Sequence, residues 1–147
     1  MIDISVKKFE ELSLIELYEL LELRSEVFVL EQECAYQDVD GKDKKALHVL
    51  GKKEGKIIAY VRLFDKGDYF EEASFGRVVV LEQERKYGYG HDIINASVKA
   101  IEKYYKTSTI VISAQTYLRK FYTTHHFKQI GEEYLEDGIP HIKMIKK

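Results

Sequence analysis

The sequence predicts a mixed α/β (α+β) domain in which helices flank a single sheet. Helix and strand patterns follow one another in the order helix, strands, glycine loop, helix, strand, helix, strands, which suits a sheet covered by helices. The chain has 147 residues, a length that allows one domain with a core, so we expect residues 1–147 to form one unit. With 45% hydrophobic and 33% charged residues, it also has the composition of a folded protein.

The first half of the chain predicts one helix followed by three strands. Ser13 and Glu16 have the spacing of a capping box, and apolar residues recur at helical spacing from there to about residue 29. The three strands are separated by glycine turns and lie at residues 48–51, 56–64 and 73–81. The centre of the third strand, Val78–Val80, is apolar on both faces, and full burial is the usual reason for such a run.

The second half of the chain predicts two helices and three strands. Apolar residues recur at helical spacing after Gly90 as far as Tyr105, and residues 116–125 form a further helix. A β-branched strand separates these helices, and two closing strands flank a turn at residues 136–138. The three strands lie at residues 109–113, 128–134 and 141–145.

A basic glycine loop connects the buried strand to the helix that follows it. Residues 85–90 read Arg-Lys-Tyr-Gly-Tyr-Gly, and His91 continues into the helix. A helix N-terminus offers unpaired backbone N–H groups and the positive end of a dipole. Glycines let a phosphate approach that backbone closely. The loop therefore predicts a site for a phosphorylated ligand.

The spacing of this loop excludes two common phosphate-binding motifs. A mononucleotide P-loop ends in Gly-Lys-Ser/Thr, whereas Gly90 is followed by His91 and Asp92. A dinucleotide fingerprint has a third glycine three residues after the second, and here that position is Ile93. What remains is Arg-x-x-Gly-x-Gly between a strand and a helix, which by spacing alone also fits a plain strand-to-helix turn.

The Arg-x-x-Gly-x-Gly pattern resembles the acetyl-coenzyme A loop of the GNAT N-acetyltransferase superfamily. Phe121-Tyr122 followed by Phe127 is similar to the tyrosine-bearing helix of that family and its aromatic exit. Residues 24–41 and 136–142 resemble the ElaA subgroup, and the match runs from about residue 4 to the end. The resemblance implies a GNAT-like fold, with a mixed, mostly antiparallel central sheet flanked by helices.

One residue departs from the family pattern at the end of this helix. The family usually has glycine just before the exit aromatic, whereas this chain has His126 before Phe127. The helix is therefore expected to end without the usual left-handed glycine, and this could change the direction in which the Tyr122 side chain points.

The resemblance also implies which residues would hold acetyl-coenzyme A as the co-substrate. The backbone of Val78, Val79 and Val80 would pair with the pantetheine arm and polarise the thioester carbonyl. Gln115 stands where the family often has a coenzyme contact, with a plain helix-start role as the open alternative. Tyr122 would protonate the leaving thiolate as a general acid. The pyrophosphate would lie against Arg85, Lys86, Tyr87, Gly88, Tyr89, Gly90 and His91.

Two residues are candidates for the base that makes the amine neutral, with Glu31 as the first choice and His141 as the second. Glu31 lies in a stretch that resembles a family acceptor wall. His141 follows a turn, and histidine titrates near neutral pH. Each has a structural alternative, because Glu31 could pair with a neighbour and His141 could be a hydrogen-bonded strand residue. Bulk water as the base also stays open.

Carboxylates are concentrated between residues 31 and 43, and this acidic segment has two interpretations. It is either a solvated charged loop or a surface that attracts a cationic amine. A calcium loop is excluded, because its first position would be Tyr36 and its twelfth Leu47. The five histidines and Cys34 have no zinc spacing, so we expect no metal.

Composition and charge exclude several classes of protein. The formal net charge of −2 argues against a general nucleic-acid binder. The single cysteine cannot form an internal disulfide, which suits a reducing cytoplasm. We expect no signal peptide, and no apolar run is long enough to span a membrane.

These observations together predict a cytoplasmic N-acetyltransferase. It would move an acetyl group directly from acetyl-coenzyme A to an unidentified primary amine on a small molecule or peptide. One alternative is a catalytically inactive coenzyme A-binding sensor or interaction module of the same fold, and another is a nucleotide-binding domain. The sequence leaves open whether the chain forms a homodimer.

Overall fold

The computed structural model describes residues 1–147 and contains seven strands and three α-helices. The strands are β1 (Asp3–Lys8), β2 (Leu47–Lys53), β3 (Lys56–Phe64), β4 (Ser74–Val80), β5 (Ile110–Gln115), β6 (Lys128–Glu136) and β7 (Ile139–Lys146). The helices are α1 (Leu14–Arg24), α2 (Tyr89–Tyr105) and α3 (Arg119–Thr123). A π-helical segment, Ser25–Glu31, extends α1, and a 3-10 turn, Thr116–Leu118, precedes α3. The predicted fold class is confirmed, because helices flank mostly antiparallel sheet.

Strand β1 was not among the predicted elements. Ile2, Ile4 and Val6 alternate with polar residues, which is the period-two pattern that would have revealed it. The strand pairs antiparallel with β2, with Val6 opposite Val49. It thus becomes the edge strand of the larger sheet.

The predicted single sheet is divided into two antiparallel sheets. The larger has the order β1-β2-β3-β4, and the smaller has the order β5-β7-β6. They join at a parallel bridge between Ala73 and Ile110, where the Val111 N–H donates to the Ala73 carbonyl at 2.9 Å. No residue beyond this bridge pairs β4 with β5, so the two strands part toward Val80 and Gln115 and leave an opening.

Helices α1 and α2 cover opposite faces of the larger sheet. Ile93, Ile94 and Ile101 of α2 pack with Val49 and Val61 in a core of 20 buried residues. On the other face, leucines of α1 pack with Leu50 and Tyr60 in a second core of eight. Full burial of such a side chain stabilises the fold by about 1.5–3 kcal/mol, so the two cores hold the sheet rigid behind the opening.

Strand β4 contains a bulge that changes the direction of its side chains. Tyr60 pairs with Val79 and Arg62 pairs with Gly76, so two residues of β4 lie opposite the single residue between them on β3. Within this bulge, Arg77 has a φ of 52°, a left-handed conformation that costs a non-glycine residue about 1–2 kcal/mol.

The bulge explains why the prediction of full burial for Val78–Val80 is wrong for two of the three residues. Val79 is buried in the core beneath α1, as predicted. Val78 and Val80 are only partly buried and line the opening between the sheets. The second apolar face of this strand therefore faces a cavity instead of a packed layer.

Candidate active site

A cavity of about 660 Å³ fills the opening between the parting strands. Its walls come from β4, the glycine loop, β5, α3 and the turn between β6 and β7. The structure brings most of the predicted site residues together here, although they are widely separated in sequence. Those that line the cavity are Glu31, Val78, Val79, Val80, Arg85, Lys86, Gly88, Gly90, His91, Gln115, Tyr122 and His141.

Two predicted loop residues do not line this cavity. The Tyr89 side chain is buried in the main core. Tyr87 is half-exposed, and its ring lies 5.5 Å from that of Tyr89, with the Lys53 ammonium 4.3 Å from its centre. The Tyr89 side chain is therefore not available to a ligand in the loop, and the Tyr87 side chain lies outside the cavity.

The glycine loop ends in a helix N-terminus that no side chain caps. Gly88 takes a left-handed conformation with a φ of 76° and occupies the cap position of α2. A Cβ atom at Gly90 would lie 3.6 Å from the ring of Phe121 on α3. The loop thus presents backbone and helix dipole to the cavity without a competing side-chain cap.

Arg85 is held by two partners across the mouth of the cavity. Its guanidinium donates to both carboxylate oxygens of Glu31, at 2.8 and 2.9 Å. Its Nε donates to the Val80 carbonyl at 2.9 Å. Glu31, a candidate base in the sequence, is therefore paired with a neighbour, and the pair joins the π-helical segment to the glycine loop.

Tyr122 lies inside the cavity with its hydroxyl free. The side chain is 4% exposed, and its ring packs against Phe75 and Phe127 at 6.1 and 5.9 Å between ring centres. Burial raises the pKa of the phenol, with a smaller contribution from Tyr117, so the group stays protonated at neutral pH. The hydroxyl forms no hydrogen bond with another protein group, so it is available to a ligand.

The end of α3 keeps the left-handed geometry that the family glycine would supply. His126 itself adopts a φ of 70°, at a cost of about 1–2 kcal/mol. The next N–H, from Phe127, donates to the Tyr122 carbonyl at 3.1 Å and closes the helix. The departure at His126 therefore leaves the turn in place and keeps Tyr122 facing the cavity.

A polar cluster lies at the far end of the cavity, on the β6–β7 hairpin. The Ser113 hydroxyl donates to Glu136 Oε1 at 3.0 Å and also contacts the Tyr134 hydroxyl. His141 Nε2 lies 3.6 Å from Glu136 Oε2, and His141 Nδ1 donates to the Ile139 carbonyl at 2.7 Å. Glu136 was not among the predicted site residues, because nothing in its position before the turn indicated that it would line the cavity.

Both interpretations of the acidic segment are wrong for Asp38 and Asp43. Asp38 and Asp43 are 8% and 6% exposed, so they belong neither to a solvated loop nor to an attracting surface. They bind Arg24, whose Nε donates to Asp38 Oδ2 at 2.9 Å and whose Nη1 donates to Asp43 Oδ1 at 2.8 Å.

Two further arginines complete this network. Arg62 donates to both oxygens of Asp40 at 2.8 and 3.0 Å, and to Asp43 Oδ1 at 3.0 Å. Arg77 Nε lies 2.7 Å from Asp38 Oδ1, off the direction of its N–H, so this contact is an ion pair without a hydrogen bond. Burial would raise the pKa of Asp40, but the hydrogen bonds from Arg62 lower it to about 2. Three cations and three anions give the network a net charge of 3 − 3 = 0.

Three other features bear on the class of protein and site. No three histidine, cysteine, aspartate or glutamate residues lie close enough together to hold a metal ion. His91 Nδ1 and His125 Nε2 lie 2.9 Å apart and pair with each other. None of the helices has both the length and the apolar character that a membrane span requires.

Comparison with known proteins agrees with this geometry. Residues 10–147 match the family model of the acetyltransferase (GNAT) domain. The protein ElaA of Escherichia coli is 38% identical over 139 residues, which cover 93% of this chain and 91% of ElaA. A UPF0039 protein of Schizosaccharomyces pombe is 41% identical over 140 residues, which cover 94% of this chain and 92% of that protein.

Solved structures show the same arrangement. A crystal structure of Escherichia coli ElaA superposes with a TM-score of 0.93 at 36% identity and covers 100% of both chains. An acyl-CoA N-acyltransferase from Pseudomonas aeruginosa superposes with a TM-score of 0.92 at 39% identity and covers 99% of both chains. The chain therefore belongs to the GNAT acetyltransferase family and is similar to ElaA over nearly its whole length.

Proposed function

We propose that this chain is an N-acetyltransferase that moves an acetyl group directly from acetyl-coenzyme A to a primary amine. One observation carries the proposal: the glycine loop, the parted end of β4 and the free Tyr122 hydroxyl line the same cavity. Residues 1–147 act as one unit in this proposal, and the absence of any disulfide fits a reducing cytoplasm.

The donor would lie along the opening between β4 and β5. Its pyrophosphate would bind the uncapped N-terminus of α2 from Lys86 to His91, with Arg85 adding charge. The pantetheine arm would run beside Val78, Val79 and Val80, none of which pairs with a residue of β5. Gln115, on the opposite strand, would contact the same arm.

Transfer would proceed without a covalent enzyme intermediate. The neutral amine attacks the thioester carbonyl, and backbone N–H groups of β4 stabilise the charge that develops on its oxygen. The carbon–sulfur bond then breaks, and the Tyr122 hydroxyl protonates the leaving thiolate. A buried phenol suits this step, because it is fully protonated before the sulfur becomes basic.

Thiol release in the presence of a panel of primary amines tests this proposal. We expect coenzyme A to appear only when acetyl-coenzyme A, protein and amine are all present. Binding of acetyl-coenzyme A without turnover on any amine would instead identify a coenzyme-binding sensor. Protection against melting by ATP and none by coenzyme A would identify a nucleotide-binding domain.

Changing Tyr122 to phenylalanine should lower kcat by about 10²-fold, because the thiolate loses its proton donor. The phenyl ring keeps the packing against Phe75 and Phe127, so the dissociation constant for acetyl-coenzyme A should stay within about twofold. Steady-state kinetics and calorimetry measure the two quantities. Tyr104→Phe, a half-exposed tyrosine of α2, is the control. Unchanged turnover in the Tyr122 variant would show that its hydroxyl is not the acid.

Changing Glu31 to glutamine should strengthen coenzyme A binding about two- to fivefold. Glu31 holds Arg85 in the free protein, and a partly exposed ion pair of this kind contributes about 0.2–1 kcal/mol. Without that competitor, Arg85 is free to bind the pyrophosphate. Calorimetry of coenzyme A binding measures the change, and Glu33→Gln, a nearby exposed carboxylate, is the control. Weaker binding in the Glu31 variant would mean that the carboxylate supports the donor site.

A further inference from the structure

Glu136 lines the cavity, and a hydrogen-bond donor of the protein binds only one of its two carboxylate oxygens. The Ser113 hydroxyl donates to Oε1 at 3.0 Å, and the Tyr134 hydroxyl contacts the same serine. Oε2 has no hydrogen-bond donor from the protein, and its nearest basic neighbour is His141 Nε2 at 3.6 Å. The side chain is thus held in place while half of its hydrogen-bonding capacity stays unused.

The tautomer of His141 leaves a second unused acceptor beside this carboxylate. His141 Nδ1 lies 2.7 Å from the Ile139 carbonyl, which can only accept, so Nδ1 carries the proton in the neutral ring. Nε2 then presents its lone pair toward Glu136 Oε2. With Nδ1 protonated, His141 Nε2 and Glu136 Oε2 are both acceptors, and at 3.6 Å apart they are close enough for one N–H donor group to bind both.

The charges around this pair favour a cation. Arg62 and Arg77 also line the cavity, but their positive charges are balanced by ion pairs with the aspartates of the neutral buried network. The exposed Asp137 follows Glu136 on the cavity wall and adds a second negative charge. This end of the cavity is therefore negative, whereas the glycine-loop end carries Arg85 and Lys86.

The wall beside these carboxylates is aromatic. Phe64 and Tyr69 stack with 5.2 Å between their ring centres, and both line the cavity. Tyr69 is 40% exposed, so a stem that packs against its ring gains from apolar burial and from aromatic contact. A carboxylate next to the amine would instead be repelled by Glu136 and Asp137.

We propose that Glu136 and His141 form the ammonium site of the acceptor, and that it takes a primary amine on an apolar or aromatic stem without an adjacent carboxylate. This inference rests on the proposed acetyltransferase function and gives it a substrate class. The ammonium donates to Glu136 Oε2 and His141 Nε2 together. Glu136 is then a catalytic residue that binds the substrate, and Ser113 and Tyr134 are positioning residues.

The proton balance of the reaction follows from this arrangement. The ammonium gives one proton to His141 Nε2, and the resulting imidazolium is paired with Glu136. The amine nitrogen forms its bond to the carbonyl carbon, and the carbon–sulfur bond breaks. Tyr122 gives its proton to the sulfur, and the second amine proton replaces it. His141 releases the first proton to solvent, so the products are an amide, coenzyme A and one proton.

Kinetics of a Glu136→Gln variant with phenethylamine test the ammonium site. We expect the KM for phenethylamine to rise at least tenfold, with kcat changed less and the dissociation constant of acetyl-coenzyme A unchanged. Glu133→Gln, an exposed carboxylate of the same strand, should leave all three values unchanged. In the wild-type protein, kcat/KM for phenethylamine should exceed that for phenylalanine at least tenfold, because only the latter has a carboxylate beside the amine.

Direct binding separates failure of this inference from failure of the proposed function. Calorimetry of phenethylamine with the complex of protein and coenzyme A needs no turnover, and Glu136→Gln should weaken that binding at least tenfold. If wild-type protein acetylates phenethylamine while Glu136→Gln behaves like Glu133→Gln, the ammonium site is wrong and the function stands. If phenethylamine binds through Glu136 and no amine is acetylated, the function is wrong and the site stands. If the complex does not bind phenethylamine, the ammonium site is wrong.

Discussion

Replacing Gly88 with aspartate is expected to abolish coenzyme A binding, with at least a 10²-fold loss of affinity, or about 2.7 kcal/mol. Gly88 has a φ of 76°, which strains any residue with a Cβ. Its backbone also opens the N-terminus of α2, where we propose the pyrophosphate binds. The new carboxylate would place negative charge beside two phosphates in a site that relies on helix dipole and backbone N–H groups.

Two comparisons separate charge from backbone strain in this experiment. Gly55 has a φ of 80° in the turn between β2 and β3, with no atom within 4 Å of an added Cβ, as at Gly88. Gly55→Asp therefore carries the same strain away from the loop and should leave the affinity unchanged. Gly88→Asn has the shape of the aspartate without its charge and should lose less affinity. If calorimetry gave Gly88→Asp the same affinity for coenzyme A as Gly55→Asp, the assignment of the loop as the pyrophosphate site would be contradicted.

Replacing Arg24 with methionine is expected to lower the free energy of unfolding by about 3–5 kcal/mol, the usual cost of breaking a buried ion pair. Arg24 is 0% exposed and uses three nitrogens, bonding to both Asp38 and Asp43 and to the Asp38 carbonyl at 2.9 Å. Methionine fills much of the same volume, but it carries no positive charge and donates no hydrogen bond. The buried carboxylates of Asp38 and Asp43 would therefore each lose one partner. The acidic segment would then lose its attachment to α1.

Urea unfolding of the two proteins at the same pH measures this loss. Arg119→Met removes an exposed arginine from α3 and should change the free energy of unfolding by less than about 0.5 kcal/mol. A loss below about 1 kcal/mol for Arg24→Met would mean that the other arginines compensate for it. The network would then be less important to stability than its burial suggests.

Features encoded by neighbouring residues could be predicted from the sequence. The Ser13 hydroxyl accepts from the Glu16 N–H at 3.0 Å, and Glu16 Oε1 accepts from the Ser13 N–H at 2.9 Å, which confirms the capping box. The turn at Gly55 is also where the pattern predicted it, and α2 begins at Tyr89, two residues before the predicted start at His91. Each depends on residues only a few positions apart, so local chemistry is sufficient to specify them.

Features that depend on distant residues could not be predicted in this way. The bulge at Arg77 rotates Val78 and Val80 toward the cavity, and it becomes visible only in the pairing of β4 with β3. Arg85 and Glu31 are 54 positions apart, so their pairing follows from the fold alone. The same is true of the arginine–aspartate network, in which aspartates from one loop bind arginines from three elements.

The acceptor side of the site also depends on contacts between distant residues, which the sequence alone did not predict. His141 was a candidate because histidine titrates near neutral pH, but its proton position depends on the backbone of the β6–β7 turn. Glu136 acquires a possible role only through Ser113, which comes from another strand. Residue types thus indicated the class of chemistry, whereas the pairing of strands determined which groups meet.

The most direct test of the account is to supply acetyl-coenzyme A with an isotope-labelled acetyl group and to follow the label by mass spectrometry. With wild-type protein and phenethylamine, we predict that labelled amide and free coenzyme A appear in equal amounts, with no acetyl group on the protein. Protein that binds acetyl-coenzyme A but forms no labelled amide with any primary amine would contradict the account.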